Sequence, residues 1–294
     1  MSEEQWDLFN YIENGDINQV KLYIQEFPKL VNSRLKGLCP IHKAALCDKD
    51  KIIKLLLENK ADINKRELKN GAAALHCAVA KNKVNATIEL LKNGADVNFL
   101  DSSETSPLIY AAFGGFVNIV NILIEYGADL KLKNNDGYTA IHIACTQNRQ
   151  EIVKILLEKG IDINIRDAND VTPLHYAATG GARETVELLI KNGANINARS
   201  NLGCTPFHFA VGVTDDTSFL SLFIKNGAKI NEKSDTGMTP LHFAASKGQK
   251  GAVDFLLLNH ANIDEKDNDG NTALAWAEHE GQDHIVDFLK KFKS

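Results

Sequence analysis

Small and apolar residues recur along this chain in blocks that repeat about every 33 residues. Each block contains a pair of small residues, such as the alanines at 44 and 45 or at 177 and 178. About nine residues later comes an apolar set at helical spacing, as in residues 152–157. Its i, i+1, i+4, i+5 pattern is typical of a buried helix stripe. Each block therefore predicts two helices, and the second supplies most of the core.

A four-residue motif marks the start of each first helix. Thr-Pro-Leu-His stands at residues 172–175 and 239–242, and Thr-Pro-Phe-His stands at 205–208. Looser copies make consecutive motifs 33 or 34 residues apart over most of the chain, beginning at residues 39, 73, 106, 139 and 272. A degenerate ninth unit precedes them, with Phe9 at the position of His42. Such a period predicts one repeat domain rather than two globular domains.

The segments between blocks have the chemistry of helix ends and turns. The second helix is expected to end at a glycine, because glycine adopts the positive φ that stops a helix. These glycines are Gly94, Gly127, Gly160, Gly193 and Gly227. An extended segment and a turn such as Asn-Asp-Gly at 135–137 follow, which predicts a hairpin-like finger.

The elements TPLHYAA, GADVN and NDG together resemble the ankyrin-repeat family, from about Trp6 to Phe288. The resemblance implies an all-α solenoid of helix–turn–helix pairs with β-hairpin-like finger loops and a concave face. It also implies that the recurrent histidine hydrogen-bonds the finger backbone between repeats, and that the joints at Ile109 and Ala275, which lack it, are looser. The single domain 1–294 is expected to contain units at about 1–33 (N-terminal cap), 34–66, 67–100, 101–133, 134–166, 167–199, 200–233, 234–266 and 267–294 (C-terminal cap).

Composition narrows the classes of partner. No run approaches the ~18 apolar residues of a membrane span, and a net charge of −5 with interspersed signs lacks the basic footprint of a nucleic-acid binder. Five widely spread cysteines, at 39, 47, 77, 145 and 204, are typical of a reducing compartment. We therefore expect a cytoplasmic protein, with the nucleus as a second location, that binds another protein. We expect no nucleic acid, membrane insertion, metal or cofactor, and a monomer in isolation.

One cluster has metal-like spacing. Cys39, His42 and Cys47, with His76 or Cys77 as a fourth ligand, contain the thiolate and imidazole groups that zinc prefers. The structural interpretation is favoured, because these residues occupy ordinary positions of the repeat. A zinc-dependent enzyme has no other support, since no nucleophile–base–acid set recurs at catalytic spacing.

The candidate protein-binding residues lie where the repeat does not dictate the side chain, just before each motif or at the end of the first helix. One apolar cluster joins Leu38, Leu46 and Cys47. A central cluster, typical of an interaction surface, contains Phe113, Phe116, Tyr138 and Val171, extended by Leu202 and Met238. The alternative is that Phe113 or Phe116 folds back into the groove between helices.

Two further features remain open. The segment 212–217 has an extra residue between its helices, so it is a reshaped loop, either a partner contact or neutral drift. Thr214 is poorly suited to positive φ, and Asp215 is expected to take that conformation instead. The family resemblance also makes five asparagines candidates for hydroxylation, namely Asn64, Asn98, Asn164, Asn197 and Asn231.

The leading interpretation is a non-enzymatic scaffold or adaptor that holds a partner protein on its concave face and fingers. One alternative is a regulatory inhibitor that masks a transcription factor or other signalling protein. A second is a microbial effector that acts on host proteins, and a third is the zinc-dependent enzyme.

Overall fold

The computed structural model describes residues 3–293, and the regular structure in that range is helical, with eighteen α-helices and one short 3₁₀ helix. The chain divides after Ile143 into two compact units, within the helix Ala140–Thr146. The predicted all-α class is confirmed. The expected single domain stays a prediction.

The N-terminal unit is built from helix pairs, and in three of its four complete pairs a short first helix precedes a longer second one. First helices α1, α3, α5 and α7 pack in one row, and second helices α2, α4, α6 and α8 pack in another. A 3₁₀ helix, Pro28–Asn32, precedes α3. The helices are α1 (Glu3–Asn14), α2 (Ile17–Glu26), α3 (Pro40–Leu46), α4 (Asp50–Glu58), α5 (Ala74–Ala80), α6 (Val84–Lys92), α7 (Pro107–Gly114), α8 (Val117–Glu125) and the first part of α9 (Ala140–Thr146).

The C-terminal unit repeats the same arrangement. First helices α11, α13, α15 and α17 contact each other in succession, and each packs against its own second helix. The helices after the end of α9 are α10 (Gln150–Glu158), α11 (Pro173–Thr179), α12 (Arg183–Lys191), α13 (Pro206–Val211), α14 (Thr217–Lys225), α15 (Pro240–Ser246), α16 (Lys250–Leu258), α17 (Ala273–His279) and α18 (Asp283–Lys293).

The first helices start where the motif predicts. Proline occupies the first helical position of α11, where its fixed φ suits the helix and its missing N–H costs nothing. The alanines at 177 and 178 are fully buried, so neighbouring backbones approach closely. In the second helix α10, Ile152, Val153 and Leu156 are buried, which confirms these three positions of the predicted stripe, whereas Leu157 is half-buried.

The helix ends confirm the glycine prediction. All five glycines named above have φ between 83° and 90°. In two other repeats the same conformation is held by Lys60 and His260, at φ 67° and 69°, which is strained for residues with a Cβ. The turn between the two helices of a repeat is also left-handed, at Asp48, Asn82 and Asn148 as well as at glycines.

The fingers are turns rather than paired strands. Over residues 3–293 there is no extended ladder, and one isolated bridge joins Leu35 and Leu38. A typical finger is closed by one backbone bond, such as that from the Asp167 N–H to the Val171 carbonyl at 3.1 Å. We define the finger face of each unit as the surface formed by its first helices and its fingers.

Candidate protein-binding surfaces

The repeated histidine ties each first helix to the next finger. In five repeats its Nε2 lies 3.1–3.3 Å from the carbonyl oxygen just before the next motif, in the pairs His42–Ala72, His76–Thr105, His175–Cys204, His208–Met238 and His242–Asn271. Its Nδ1 accepts the backbone N–H at the start of its own motif, at 3.0–3.3 Å. The expected link between repeats is confirmed.

These partners determine the protonation state of the ring. A backbone N–H can only donate, so Nδ1 carries no proton, and a carbonyl can only accept, so Nε2 carries one. Burial disfavours the charged ring and lowers the pKa of His175 and of His208 to about 4. The same cause lowers the pKa of His42, His76 and His242. These histidines are neutral structural groups.

The zinc-like cluster does not form a metal site. Both ring nitrogens of His42 are bonded to backbone groups, Nδ1 to the Cys39 N–H and Nε2 to the carbonyls of Lys65 and Ala72. Burial raises the pKa of the Cys39 thiol, which disfavours the thiolate. Across residues 3–293, no three His, Cys, Asp or Glu side chains are grouped to hold a metal ion.

The five candidate asparagines cross-link successive fingers. Each side-chain oxygen accepts a backbone N–H from the next repeat at 2.8–3.2 Å, in the pairs Asn64–Asp96, Asn98–Asp129, Asn164–Asn195, Asn197–Lys229 and Asn231–Asn262. These side chains have a structural role, and their hydroxylation stays a prediction.

Sequence reasoning missed a second set of hydrogen bonds, which joins a finger to the first helix that follows it and which we call the finger brace. Asp167 Oδ1 accepts the N–H groups of Asn169 and Val171 at 2.8 and 2.9 Å, and its Oδ2 accepts the Tyr176 hydroxyl at 2.6 Å. Asp101 with Tyr110 and Asp267 with Trp276 repeat this contact, at 2.8 and 2.7 Å.

The aromatic residue of the finger brace changes with the residue that accepts its hydrogen bond. Where serine replaces the aspartate, the aromatic residue nine positions later is phenylalanine, in the pairs Ser200–Phe209 and Ser234–Phe243. A buried carboxylate has a second oxygen to satisfy and a serine hydroxyl does not. The nine-residue spacing is visible in the sequence and could have revealed the brace.

The N-terminal unit has an apolar groove on its finger face, which we call the N-terminal groove. It has a volume of about 450 Å³, and its floor includes Leu38, Leu46, Ala80 and Tyr110. Two candidate residues, Leu38 and Leu46, therefore lie on one surface. Cys77 lines the groove, whereas Cys47, which the sequence grouped with them, is not among its lining residues.

The central candidates in the N-terminal unit differ in exposure. Phe113 projects from α7 with 59% of its side chain exposed. The Phe116 ring instead lies over Gly114, where a Cβ would collide with it. Tyr138 is half-buried, with its ring centroid 6.4 Å from that of His142. The Phe116 ring thus folds back over the end of α7, whereas Phe113 stays exposed, and a role of either residue in partner binding stays a prediction.

In the C-terminal unit, Leu202 is 64% exposed on a finger, whereas Val171 is only 7% exposed. Met238 is half-buried. Val171 therefore offers little surface to a partner.

The finger face of the C-terminal unit also carries a row of half-buried aromatic residues that the sequence analysis did not select. Tyr176, Phe209 and Phe243 directly follow the recurrent histidine, and Trp276 occupies the equivalent position after Ala275. The rings of Phe209 and Phe243 pack edge-on against the histidine of the preceding repeat, with centroids 5.1 and 5.2 Å apart.

The inserted loop at 212–217 contacts the next repeat. Asp215 Oδ1 accepts the Ala252 N–H in the first turn of α16 at 3.0 Å, a favourable position for a carboxylate. Asp216 caps α14 through the Ser218 and Phe219 N–H groups. Among the described residues with positive φ, neither Thr214 nor Asp215 appears, so the expectation that Asp215 adopts this conformation is wrong.

Comparison with known proteins assigns the family. A sequence model described as "Ankyrin repeats (3 copies)" matches residues 8–101, 79–167, 164–233 and 207–293. The chain belongs to the ankyrin-repeat family. Within residues 3–293, no helix combines the length and apolar character that crossing a bilayer requires.

Three curated proteins with different names contain segments that are similar to this chain. The chain is 36% identical over 89 residues to the nuclear factor NF-kappa-B p105 subunit of Gallus gallus, covering 30% of this chain and 9% of that protein. It is 35% identical over 89 residues to the B-cell lymphoma 3 protein homolog of Mus musculus, covering 30% and 20%. It is 28% identical over 133 residues to the transient receptor potential cation channel subfamily A member 1 of Drosophila melanogaster, covering 42% and 11%. The matches span at most a fifth of these relatives.

Proposed function

We propose that this protein is a non-enzymatic scaffold or adaptor that holds a partner protein on its finger faces. The N-terminal groove carries this proposal, because it joins apolar side chains of separate repeats, including Leu38, Leu46 and Ala80, in one concave surface. Leu38 and Leu46 are half-buried and Ala80 is exposed, and apolar surface open to solvent is typical of interaction sites. In the C-terminal unit, the exposed Leu202 and the aromatic row support the same function.

The hydrogen bonds of the recurrent histidines support a non-enzymatic function. In the five repeats described above, both ring nitrogens are hydrogen-bonded to backbone groups. These rings therefore offer no free nitrogen to a substrate. The five cysteines of the described chain are free thiols, which supports a reducing compartment such as the cytoplasm or nucleus.

A second candidate function is a regulator that masks a transcription factor or signalling protein. The segments similar to the NF-kappa-B p105 subunit and to the B-cell lymphoma 3 protein homolog favour it over an effector role. Since one fold hosts many functions, the choice depends on which partner is found.

The proposal is tested by selecting peptides from a random 16-residue display library against the purified full chain. Each selected peptide is then titrated by fluorescence anisotropy against the wild type and two groove variants, Leu46→Asn and Ala80→Gln. Ala80 is exposed at the end of α5, so its variant changes the groove with little risk to the fold.

The matched control is Leu258→Asn, at a 67% exposed leucine of a second helix. We expect selected peptides whose affinity for both groove variants is at least tenfold lower than for the wild type, and whose affinity for the control variant equals that for the wild type. Circular dichroism melting verifies that each variant is folded. If no selected peptide depends on the groove, the proposed function of this surface is wrong.

A further inference from the structure

The segment of the chain that lines most of the N-terminal groove differs in net charge from the chain as a whole. Residues 34–100 contain 13 Lys and Arg but only 7 Asp and Glu, whereas the whole chain has a net charge of −5. The groove lies on the finger face of these repeats and the next. The sequence segment that supplies most of the groove lining is therefore cationic on a chain that is anionic as a whole.

The acidic groups beside the groove are engaged within the fold. Glu67 is 8% exposed, and its carboxylate accepts the N–H groups of Lys69 at 2.9 Å and Asn70 at 2.5 Å. Asp101 accepts the hydroxyl of Tyr110, a lining residue. These carboxylates are therefore held by groups of the fold rather than by the lysines at the groove rim.

The basic groups at the rim are available. Lys69 and Lys81 line the groove and are exposed, and neither is paired with a carboxylate among the ion pairs of the described chain. Lys43, by contrast, is bound to Glu13 at 2.8 Å. Two free ammonium groups thus flank a floor formed by Leu38, Leu46 and Ala80.

We propose that the N-terminal groove binds a partner segment in which acidic residues flank one large apolar side chain. The apolar side chain packs on the leucine floor, and the flanking carboxylates pair with Lys69 and Lys81. The inference rests on the proposed function and specifies the chemistry of the partner. The groove volume of about 450 Å³ falls within the ~300–1,000 Å³ of typical binding sites.

A nucleic acid is a poorer fit to this surface. Single-stranded binders stack bases on exposed aromatic faces, whereas this floor is largely aliphatic. Its one tyrosine, Tyr110, has its hydroxyl held by Asp101.

The test uses the groove-dependent peptides from the selection described above. We expect Asp and Glu to be enriched in them around a large apolar residue, relative to the starting library. Their affinity should be at least tenfold lower for the double variant Lys69→Glu/Lys81→Glu. The affinity for the wild type should also fall when the salt concentration is raised from 50 to 200 mM, because salt screens exposed charges. The control is Lys191→Glu/Lys225→Glu, at two exposed lysines of second helices in the C-terminal unit, which should leave the affinity unchanged.

The outcomes separate the two proposals. Groove-dependent peptides without acidic enrichment, or unaffected by charge reversal at Lys69 and Lys81, would overturn the acidic partner and leave the proposed function standing. A fluorescein-labelled 16-mer of single-stranded RNA or DNA that binds the groove more tightly than the selected peptides would overturn it in favour of nucleic acid. Absence of groove-dependent peptides contradicts both proposals.

Discussion

Asp215 and Gly251 lie in direct contact across the joint between two repeats. A Cβ at Gly251 would come within 2.9 Å of both the Cβ and the carbonyl oxygen of Asp215, while the Asp215 carboxylate caps the N–H of Ala252 at 3.0 Å. The residue inserted in one repeat is thus matched by a glycine in the next. The loop at 212–217 has a structural partner within the chain.

We expect Gly251→Ala to lower the free energy of unfolding by about 1–3 kcal/mol through overpacking. Ordinarily alanine is favoured over glycine in a helix by about 1 kcal/mol. Glu151, exposed at the same position of α10, provides the matched control, since Glu151→Ala should be more stable than Glu151→Gly. Urea denaturation measures both pairs, and equal or greater stability of Gly251→Ala would contradict the close contact.

Lys60 and His260 adopt a positive φ at the end of the second helix, where five other repeats have glycine. We expect Lys60→Gly and His260→Gly each to raise stability by about 0.5–1 kcal/mol, because a left-handed residue with a Cβ is strained by about 1–2 kcal/mol and glycine costs some chain entropy. The reverse change, Gly160→Lys at φ 83°, should lower stability by a similar amount. Thermal melting measures all three, and a lower melting temperature for both glycine variants would contradict the prediction.

The buried histidines predict a loss of stability in mild acid. The pKa of His175 and of His208 is about 4 in the fold and about 6.5 in an unfolded chain. The unfolded chain therefore binds more protons between these values, so stability is fully present above pH 6.5 and is lost as the pH falls towards 4. At pH 5 the loss is about 2 kcal/mol for each of these two histidines.

Urea denaturation at pH 7.5, 6 and 5 measures this effect. His208→Gln should be less stable than the wild type at pH 7.5 and should lose less stability on acidification. The pKa values of the Glu67, Asp216, Glu265 and Asp267 carboxyls are also lowered. Their contribution to stability changes only near or below the ordinary carboxyl pKa of about 4. These groups therefore do not explain a change in stability above pH 5. A flat profile from pH 7.5 to 5 would contradict the neutral histidine joints.

The finger brace predicts an interaction between residues nine apart. Ser200→Asp would place a carboxylate opposite Phe209, which has no hydroxyl to donate, and should cost about 1–3 kcal/mol. Adding Phe209→Tyr should restore part of that loss, as in the observed pair of Asp167 and Tyr176. A double-mutant cycle in urea measures the coupling, and additive effects of the two changes would contradict the brace.

The sequence by itself determined the helix pairs, the period and the family. These features depend on local chemistry: proline at the first position of α11, glycine at residue 160, and apolar residues at helical spacing in 152–157. Each acts within a few residues, so its pattern is readable along the chain. The candidates Leu38 and Leu46 could also be selected, because they depart from the repeat at fixed positions.

Only the tertiary structure decided which side chains remain at the surface and which are engaged across repeats. Phe113 and Phe116 stand three residues apart, yet one projects and the other covers Gly114, because ring placement depends on packing between elements. Glu67 is consumed by finger N–H groups while Lys69 stays exposed. Such contacts join residues by geometry rather than by period, and they define the charge and shape of the groove.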